Sequence, residues 1–306
     1  MYFKKGDSNQ YSVVRKKILN IVFLLFLSLI ADYCLLTAYS YAEIQSVEWS
    51  DLSDKNITAQ GKAALTYHKS DWKHAESEHF VYHYTDEKET ETVTIHSEVY
   101  YKWVKELFGV TEDIWKTKAH VFVFQNKDDW KDFSSKNGAG IEGDAFTNGQ
   151  ELFIYREPYY LAPKKALAHE MTHVILFRFL KGPIPLSLNE GFAEFMSYKA
   201  IAMQEGVGDL DIRVLQLLPP EQYIPLKDIT AMTQYPKDQA KVMFFYQESE
   251  LLARFLLLNW KGEKFYNFLQ TLSKGEPFFE AIGEVYGFEK EKFEEDFKNF
   301  AIKKIV

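Results

Sequence analysis

Two histidines and a glutamate in one apolar segment have the residue types and the spacing of a metal site. Residues 169–173 read His-Glu-Met-Thr-His. Helical residues four apart lie about 40° apart around the axis and about 6 Å apart along it, so His169 and His173 can reach one ion. Glu170 points toward the same side. The flanking residues are apolar, which predicts a buried helix where unpartnered polar groups would be costly.

A second motif follows at residues 189–194, which read Asn-Glu-Gly-Phe-Ala-Glu. Catalytic zinc requires a third protein ligand and one open position. Together the two motifs resemble those of the gluzincin zinc metallopeptidases, and more closely those of the peptidase MA-like proteins. The resemblance implies that His169, His173 and Glu190 bind one Zn²⁺ ion. It also implies that Glu170 is the general base that takes a proton from zinc-bound water.

The two glutamates of the second motif cannot bind the same ion. Glu190 and Glu194 lie four residues apart on the predicted helix, about 6 Å along its axis, whereas zinc ligands lie about 2 Å from the ion. Glu190 matches the ligand position of the resembled family. Glu194 is then placed to accept the second ring N–H of a zinc-binding histidine, which fixes the tautomer and orientation of that ring.

A tyrosine is the predicted oxyanion donor, since no histidine follows His173. Thermolysin-like members of the resembled family use a downstream histidine to steady the tetrahedral intermediate. Tyr246 resembles the tyrosine that related gluzincins place over the zinc, from where it would donate to a developing oxyanion. The alternative is that Tyr246 is one more aromatic core residue among 19 tyrosines.

The predicted function is a zinc-dependent peptidase that acts on peptide or protein substrates. A structural zinc site would be closed by four protein ligands and would commonly use cysteine. Cys34 is the only cysteine and lies near the amino terminus, so the sequence favours catalytic zinc. The alternative is a non-catalytic envelope or binding protein that retains the fold.

Residue type and periodicity predict the elements that position these motifs. Aromatic and β-branched runs at residues 79–84, 119–124 and 151–155 indicate strands. Apolar residues at helical spacing over residues 90–108 predict a helix between the first two strands. Within the strand segments, His79 and His83 are predicted to be packed or exposed rather than metal-binding. The third strand is predicted to offer an edge to an extended peptide.

Two helices are predicted to carry the motifs. Pro163 opens the first helix, which runs to Lys181 before a Gly-Pro pair ends it. Ser187 is the predicted N-cap of the second, which continues to Gln204. Apolar stripes then predict four further helices, at residues 239–260, 263–273, 277–286 and 290–302.

The predicted fold class is α+β. A small mixed sheet and the motif helix form a lobe over residues 74–205, and residues 206–306 form a helical lobe, with a cleft between the two. The polar residues 43–73 are predicted to be a linker or a loosely packed arm. The resemblance covers about residues 78–300 and implies a thermolysin-like catalytic lobe.

The first 42 residues have the pattern of a secretory signal peptide. A basic cluster precedes residues 18–31, which carry no charge, and residues 40–42 read Ser-Tyr-Ala. We therefore expect cleavage after Ala42 and a secreted or cell-envelope protein. The alternative is a membrane anchor formed by residues 18–42. Lipid attachment at Cys34 is disfavoured, because Asp32 stands where a small residue is expected.

Composition excludes some classes of protein. In a chain of 306 residues, 46% are hydrophobic, which is far too apolar for a disordered chain. The net charge of -8 gives nucleic-acid phosphates no electrostatic attraction. A glycine-rich stretch at residues 138–149 has no lysine, so it is not a phosphate loop. The Gly-Ile-Glu of this stretch weakly resembles an exopeptidase motif but lacks its methionine and asparagine, so Glu142 is not predicted to hold a substrate's free amine.

Overall fold

One six-stranded mixed sheet organises the amino-terminal half of the chain. The computed structural model describes residues 46–138, 143–155, 164–205 and 217–302. Along the sheet the strands follow the order β1-β2-β3-β4-β6-β5. Their bounds are β1 Ser46–Val47, β2 Lys73–Glu76, β3 Phe80–Tyr84, β4 Ala119–Phe124, β5 Ala145–Thr147 and β6 Glu151–Tyr155.

The three central strands are parallel and the outer strands are antiparallel to them. β3 pairs with β4 and β4 pairs with β6, both in parallel register, and parallel neighbours require a crossover connection. β1, β2 and β5 pair antiparallel with their neighbours. The three predicted strands are thus the centre of the sheet, and the short outer strands were not predicted.

Helices make up most of the remaining described chain, which confirms the α+β class. Their bounds are α1 Ala59–Ala64, α2 Glu87–Leu107, α3 Lys127–Asn137, α4 Lys164–Phe179, α5 Leu186–Glu205, α6 Leu226–Ile229, α7 Gln239–Asn259, α8 Gly262–Ser273, α9 Phe278–Tyr286 and α10 Lys290–Ile302. Among the described residues, no helix combines the length and apolarity that crossing a membrane requires. The predicted signal segment and Glu142 lie outside the described residues.

Both faces of the sheet are covered. Aromatic side chains of β4 and β6, including Phe122 and Phe153, form one buried cluster with residues of α1 and α3. The alternate residues Val121 and Leu152 point to the opposite face, and they are also fully buried. α2 packs on β3 and on α4, and α4 packs on β5 and β6. The helix of the first motif is therefore attached directly to the sheet.

The prediction of a linker or loosely packed arm at residues 43–73 is wrong, because the described part of this segment belongs to the sheet and the core. β1 pairs with β2, and Ile57 is buried in the aromatic cluster. The buried carboxylate of Glu151 accepts a hydrogen bond of 2.6 Å from the Thr58 backbone N–H. A polar segment can thus be well ordered when its hydrogen-bond donors satisfy a buried carboxylate.

Two local predictions also need correction. Ser187 is not an N-cap, because α5 begins at Leu186 and the carbonyl of Pro185 accepts from Leu188 and Asn189 at 2.9 and 3.1 Å. The strand at 151–155 is not an edge, because β6 lies between β4 and β5. Among the described strands, β5 takes the edge position beside it.

The described residues form one compact unit, within which α5 packs against both α4 and α7. At Gly191 of α5 the approach to α7 is close, because a Cβ atom there would lie 2.0 Å from the carbonyl oxygen of Ser249. Only glycine permits the two backbones to come this close. The second motif is thereby held between the helix of the first motif and the first long carboxy-terminal helix.

α7 also carries a buried carboxyl group outside the two motifs. Glu248 is fully buried, and its Oε2 accepts from the backbone N–H of Ile224 at 2.9 Å. Its Oε1 has no hydrogen-bond partner among the described residues. Burial raises the pKa of Glu248 from 4.5 to about 8. Because the folded chain holds the proton more tightly than the unfolded chain, this group costs stability as pH rises through that interval.

We predict that Glu248→Gln stabilises the protein at pH 9 and not at pH 5. Glutamine keeps the acceptor for Ile224 and removes the buried charge, so the expected gain at pH 9 is about 1–3 kcal/mol in the free energy of unfolding. Urea unfolding at both pH values measures it, with the exposed Glu280→Gln as control. A gain of the same size at both pH values would contradict the assigned cause.

Candidate metal centre

Three ligand-type atoms from two helices converge in a cleft. His169 and His173 lie one turn apart on α4, and their Nε2 atoms are 3.1 Å apart. Glu190 projects from the first turns of α5, and its Oε2 lies 3.2 Å from the Nε2 of His169 and 3.6 Å from that of His173. The structure therefore brings together the three residues that the resemblance implies as zinc ligands.

The separations of these atoms fit a zinc ion. Ligand atoms at about 2.0–2.1 Å from zinc, in tetrahedral directions, are about 3.3 Å from one another. The observed separations of 3.1, 3.2 and 3.6 Å bracket that value. Three nitrogen and oxygen donors also match the ligand set of catalytic zinc sites, which leave one position open. The donor set of this site thus suits zinc.

Glu194 lies on the far side of His169 from Glu190. Its Oε1 is 3.1 Å from the Nδ1 of His169, and its Oε2 is 3.1 Å from the Nζ of Lys165. Glu194 therefore bridges a lysine and an imidazole. In this position a carboxylate can orient the imidazole and raise its basicity as a ligand.

The carboxylates and imidazoles of the site shift one another's pKa values. Burial alone would lower the pKa of His169, but Glu190 and Glu194 outweigh it and raise that pKa to about 10. Burial likewise opposes ionisation of Glu190, yet the two histidines hold the pKa of its carboxyl well below the usual range. The site therefore favours a carboxylate with positive charge beside it, supplied by a proton or by a metal ion.

Glu170 faces the same cleft as the three ligand-type residues. The cleft has a volume of about 710 Å³ and is lined by residues of α4, α5, β5 and the connection between α4 and α5. Burial raises the pKa of the Glu170 carboxyl, partly offset by His173 and His169. The arrangement puts a carboxyl group of increased basicity beside the point where the ligand atoms converge.

Two tyrosines cover this point from α7 and the loop before it. The ring of Tyr246 lies 6.3 Å from the ring of His169, between centroids. Tyr235 stacks on Tyr246 with centroids 5.8 Å apart, and its hydroxyl donates to the Oε1 of Glu190 at 2.8 Å. Tyr246 thus lines the cleft, and Tyr235 holds the carboxylate oxygen that faces away from the histidines.

Sequence reasoning did not identify Tyr235. The residue lies in a polar loop between α6 and α7, in the segment Gln-Tyr-Pro-Lys, where neither periodicity nor a motif distinguishes it. Its only sequence signal is an aromatic residue in polar surroundings, which is common. All the residues predicted for the site, in contrast, lie at or beside this cleft: His169, Glu170, His173, Glu190, Glu194 and Tyr246.

The two glutamates of α5 are predicted to differ in their effect on zinc binding. Glu190→Ala removes a ligand and should abolish tight binding. Glu194→Ala should weaken zinc affinity by about 10- to 100-fold and leave a measurable site. Glu194→Gln serves as the matched control, because its amide oxygen can still accept from His169. Zinc content after identical dialysis measures the effects, and an empty Glu194→Ala with a loaded Glu190→Ala would reverse the two roles.

The two tyrosines are likewise predicted to differ in their effect on zinc affinity. Tyr235→Phe removes the donor to Glu190, so we expect zinc affinity to fall by roughly 10-fold or more. Tyr246→Phe makes the same chemical change on the neighbouring ring and should leave zinc affinity nearly unchanged. Competition with a chelating dye measures both affinities. Equal losses in the two variants would show that general packing, and not the Glu190 contact, is responsible.

Comparison with known protein families and curated proteins found no match. No protein-family model matches the chain, and no curated protein matches it significantly in sequence. The functional assignment therefore depends on the arrangement of His169, Glu170, His173 and Glu190, together with the cleft that they line.

Proposed function

We propose that the chain is a gluzincin-type zinc metallopeptidase that hydrolyses peptide bonds in the cleft between α4, α5 and β5. The observation that carries the proposal is the convergence of His169, His173 and Glu190 within 3.1–3.6 Å of one another. Three such donors beside an open cleft match a catalytic zinc site better than a closed structural one.

His169, His173 and Glu190 would hold the ion. Zinc bound there would supply a Lewis acid that polarises a carbonyl group and makes water more acidic. The protein residues around the ligands would keep them in place: Glu194 beside the Nδ1 of His169, and Tyr235 on the Oε1 of Glu190. Such outer contacts fix the orientation of ligands before a substrate arrives.

Glu170 is the proposed general base. Its carboxylate takes a proton from the attacking water and then donates that proton to the amine nitrogen that leaves. The position of Glu170 on the helix next to His169 supports this role, since His169, Glu170 and His173 all line the cleft. Tyr246 is the proposed donor to the developing oxyanion, because its ring lies 6.3 Å from that of His169 and lines the same cleft.

The cleft is proposed to take an extended peptide. Phe146 and Thr147 of β5 line it, and among the described strands β5 pairs on one side only, with β6. An extended peptide can add to such an edge through main-chain hydrogen bonds. Apolar side chains of α4 and of the following connection form the opposite wall, among them Leu176, Leu180 and Ile184.

Glu170→Gln is predicted to abolish most of the activity while zinc stays bound. Glutamine preserves the shape of the side chain and removes the base, so turnover should fall by roughly 10²- to 10⁴-fold. The measurement is cleavage of a mixed peptide library, followed by mass spectrometry, with zinc content determined on the same samples. The exposed Glu280→Gln is the control. Near-normal turnover in a fully loaded Glu170→Gln would refute the assigned mechanism.

The same library separates the peptidase from a non-catalytic protein that retains the fold. The peptidase should cleave some members of the library, and a chelator should stop the cleavage. A chain that binds zinc in the cleft yet cleaves nothing at any pH from 5 to about 9 would instead be a binding protein.

A further inference from the structure

A second cluster of ligand-type side chains lies at the amino-terminal edge of β3, outside the catalytic cleft. Glu78 and His79 precede this strand, and Asp113 lies in the connection between α2 and β4. One ligand-type atom from each lies within 4.8 Å of the others. The cluster borders a cleft of about 440 Å³ that also includes Asp54 and Lys116.

His79 is oriented in the way that metal-binding histidines are. The Nδ1 atom lies 2.7 Å from the Oε2 of Glu98, and the backbone N–H of His79 donates to the Oε1 of the same carboxylate at 2.9 Å. The His79 ring also stacks on Tyr101, with centroids 3.7 Å apart. A carboxylate on one ring nitrogen fixes the tautomer that leaves the other nitrogen free to bind a metal.

Asp113 is oriented in the same manner. Its Oδ1 accepts from the hydroxyl of Tyr101 at 2.8 Å and from the backbone N–H of Trp115 at 3.1 Å. Its Oδ2 is left facing the Nε2 of His79, at 2.9 Å. Each residue therefore uses one atom for support and directs its remaining ligand-type atom toward the other.

The charges of the cluster favour a cation. The carboxylates of Glu78, Glu98 and Asp113 contribute three negative charges, and protonated His79 would supply at most one positive charge. The cleft is also lined by Asp54, Lys116 and Lys118. Lys118 is engaged elsewhere, since its Nζ contacts Glu76 at 2.9 Å and the Ser77 carbonyl at 2.7 Å. Asp54 and Lys116 offset one another in charge. A divalent ion would neutralise the two ligand carboxylates.

We propose that Glu78, His79 and Asp113 form a second metal site, which binds a first-row divalent transition ion such as Zn²⁺. One imidazole and two carboxylates suit such an ion, whereas Ca²⁺ and Mg²⁺ prefer oxygen ligands alone. The ion replaces the proton on the Nε2 of His79, which is released to solvent. Water completes the coordination, because Glu78 and Asp113 face the open cleft.

The expected effect of this ion is structural. Glu98 belongs to α2, Asp113 to the connection after α2, and His79 directly precedes β3, so the ion would fasten that connection to the sheet. Binding to the folded chain alone stabilises it by mass action. The site does not depend on the proposed peptidase activity, because it shares no residue with the catalytic cleft.

Zinc titration of the chelator-treated full-length chain tests the proposal. Calorimetry gives the affinity, and elemental analysis after dialysis gives the number of ions per chain. Asp113→Asn and Glu78→Gln should each hold one ion fewer than the unmodified chain, or bind it at least about 10-fold more weakly. His79→Gln should do the same, with its folding checked by circular dichroism. If that buried variant does not fold, the exposed Glu78→Gln decides the question.

Asp132→Asn is the matched control. Asp132 also accepts a tyrosine hydroxyl, that of Tyr67 at 2.6 Å, but it has no histidine ligand beside it among the described contacts. Its substitution should leave zinc binding unchanged. Glu190→Ala separates the two sites, because it should empty the catalytic cleft and retain the ion that Asp113→Asn loses.

The result that would overturn the proposal is an unchanged number of ions and an unchanged affinity in both Glu78→Gln and Asp113→Asn. His79 would then act as a protonated spacer between two carboxylates. If the catalytic cleft binds no zinc, the unmodified chain should still hold one ion, and that ion should persist in Glu190→Ala. Failure of the proposed function and failure of the second site are therefore distinguishable.

Discussion

The arrangement of the site depends on how closely α5 approaches α7. At Gly191 the approach leaves no space for a side chain, because a Cβ atom there would lie 2.0 Å from the Ser249 carbonyl oxygen. Glu190, the preceding residue, is thereby held beside the two histidines of α4. Tyr246 lies less than one turn before Ser249 on α7, and its ring is 6.3 Å from that of His169. The glycine contact thus brings the helix of Glu190 close to the helix of Tyr246.

The surroundings of each imidazole distinguish two kinds of histidine among the described residues. His169 lies between Glu190 and Glu194, and His79 lies between Glu98 and Asp113. In contrast, three histidines on the sheet contact one another. The Nδ1 atoms of His74 and His83 are 2.8 Å apart, and the Nε2 of His83 is 2.9 Å from the Nδ1 of His120. Burial lowers the pKa of His83 well below its usual range and that of His120 to about 4. Carboxylates favour a proton or a metal on an imidazole, whereas burial among other rings keeps it neutral.

The chemistry at the centre requires a firm frame, which the sheet and its aromatic core provide. α4 packs on β5 and β6. The aromatic cluster around Phe122 of β4 and Phe153 of β6 packs against α1 and α3. The polar segment before β2 is joined to β6 through Thr58 and the buried Glu151. Its residues have no sustained hydrophobic period, so they look like a tether in sequence. Their order comes from a long-range carboxylate contact, which a local pattern cannot reveal.

The sequence by itself determined the central strands, the helices of the second half and the residues that could bind a metal. These follow from periodicities of two and 3.6 and from the i, i+4 spacing of His169 and His173, which are local properties. Only the tertiary structure decided that β6 is internal, that Tyr235 reaches Glu190, and that Asp113 meets His79 across 34 residues. Those contacts arise from the order of strands and the packing of helices, because residues far apart in the chain are brought together by the fold and not by their spacing.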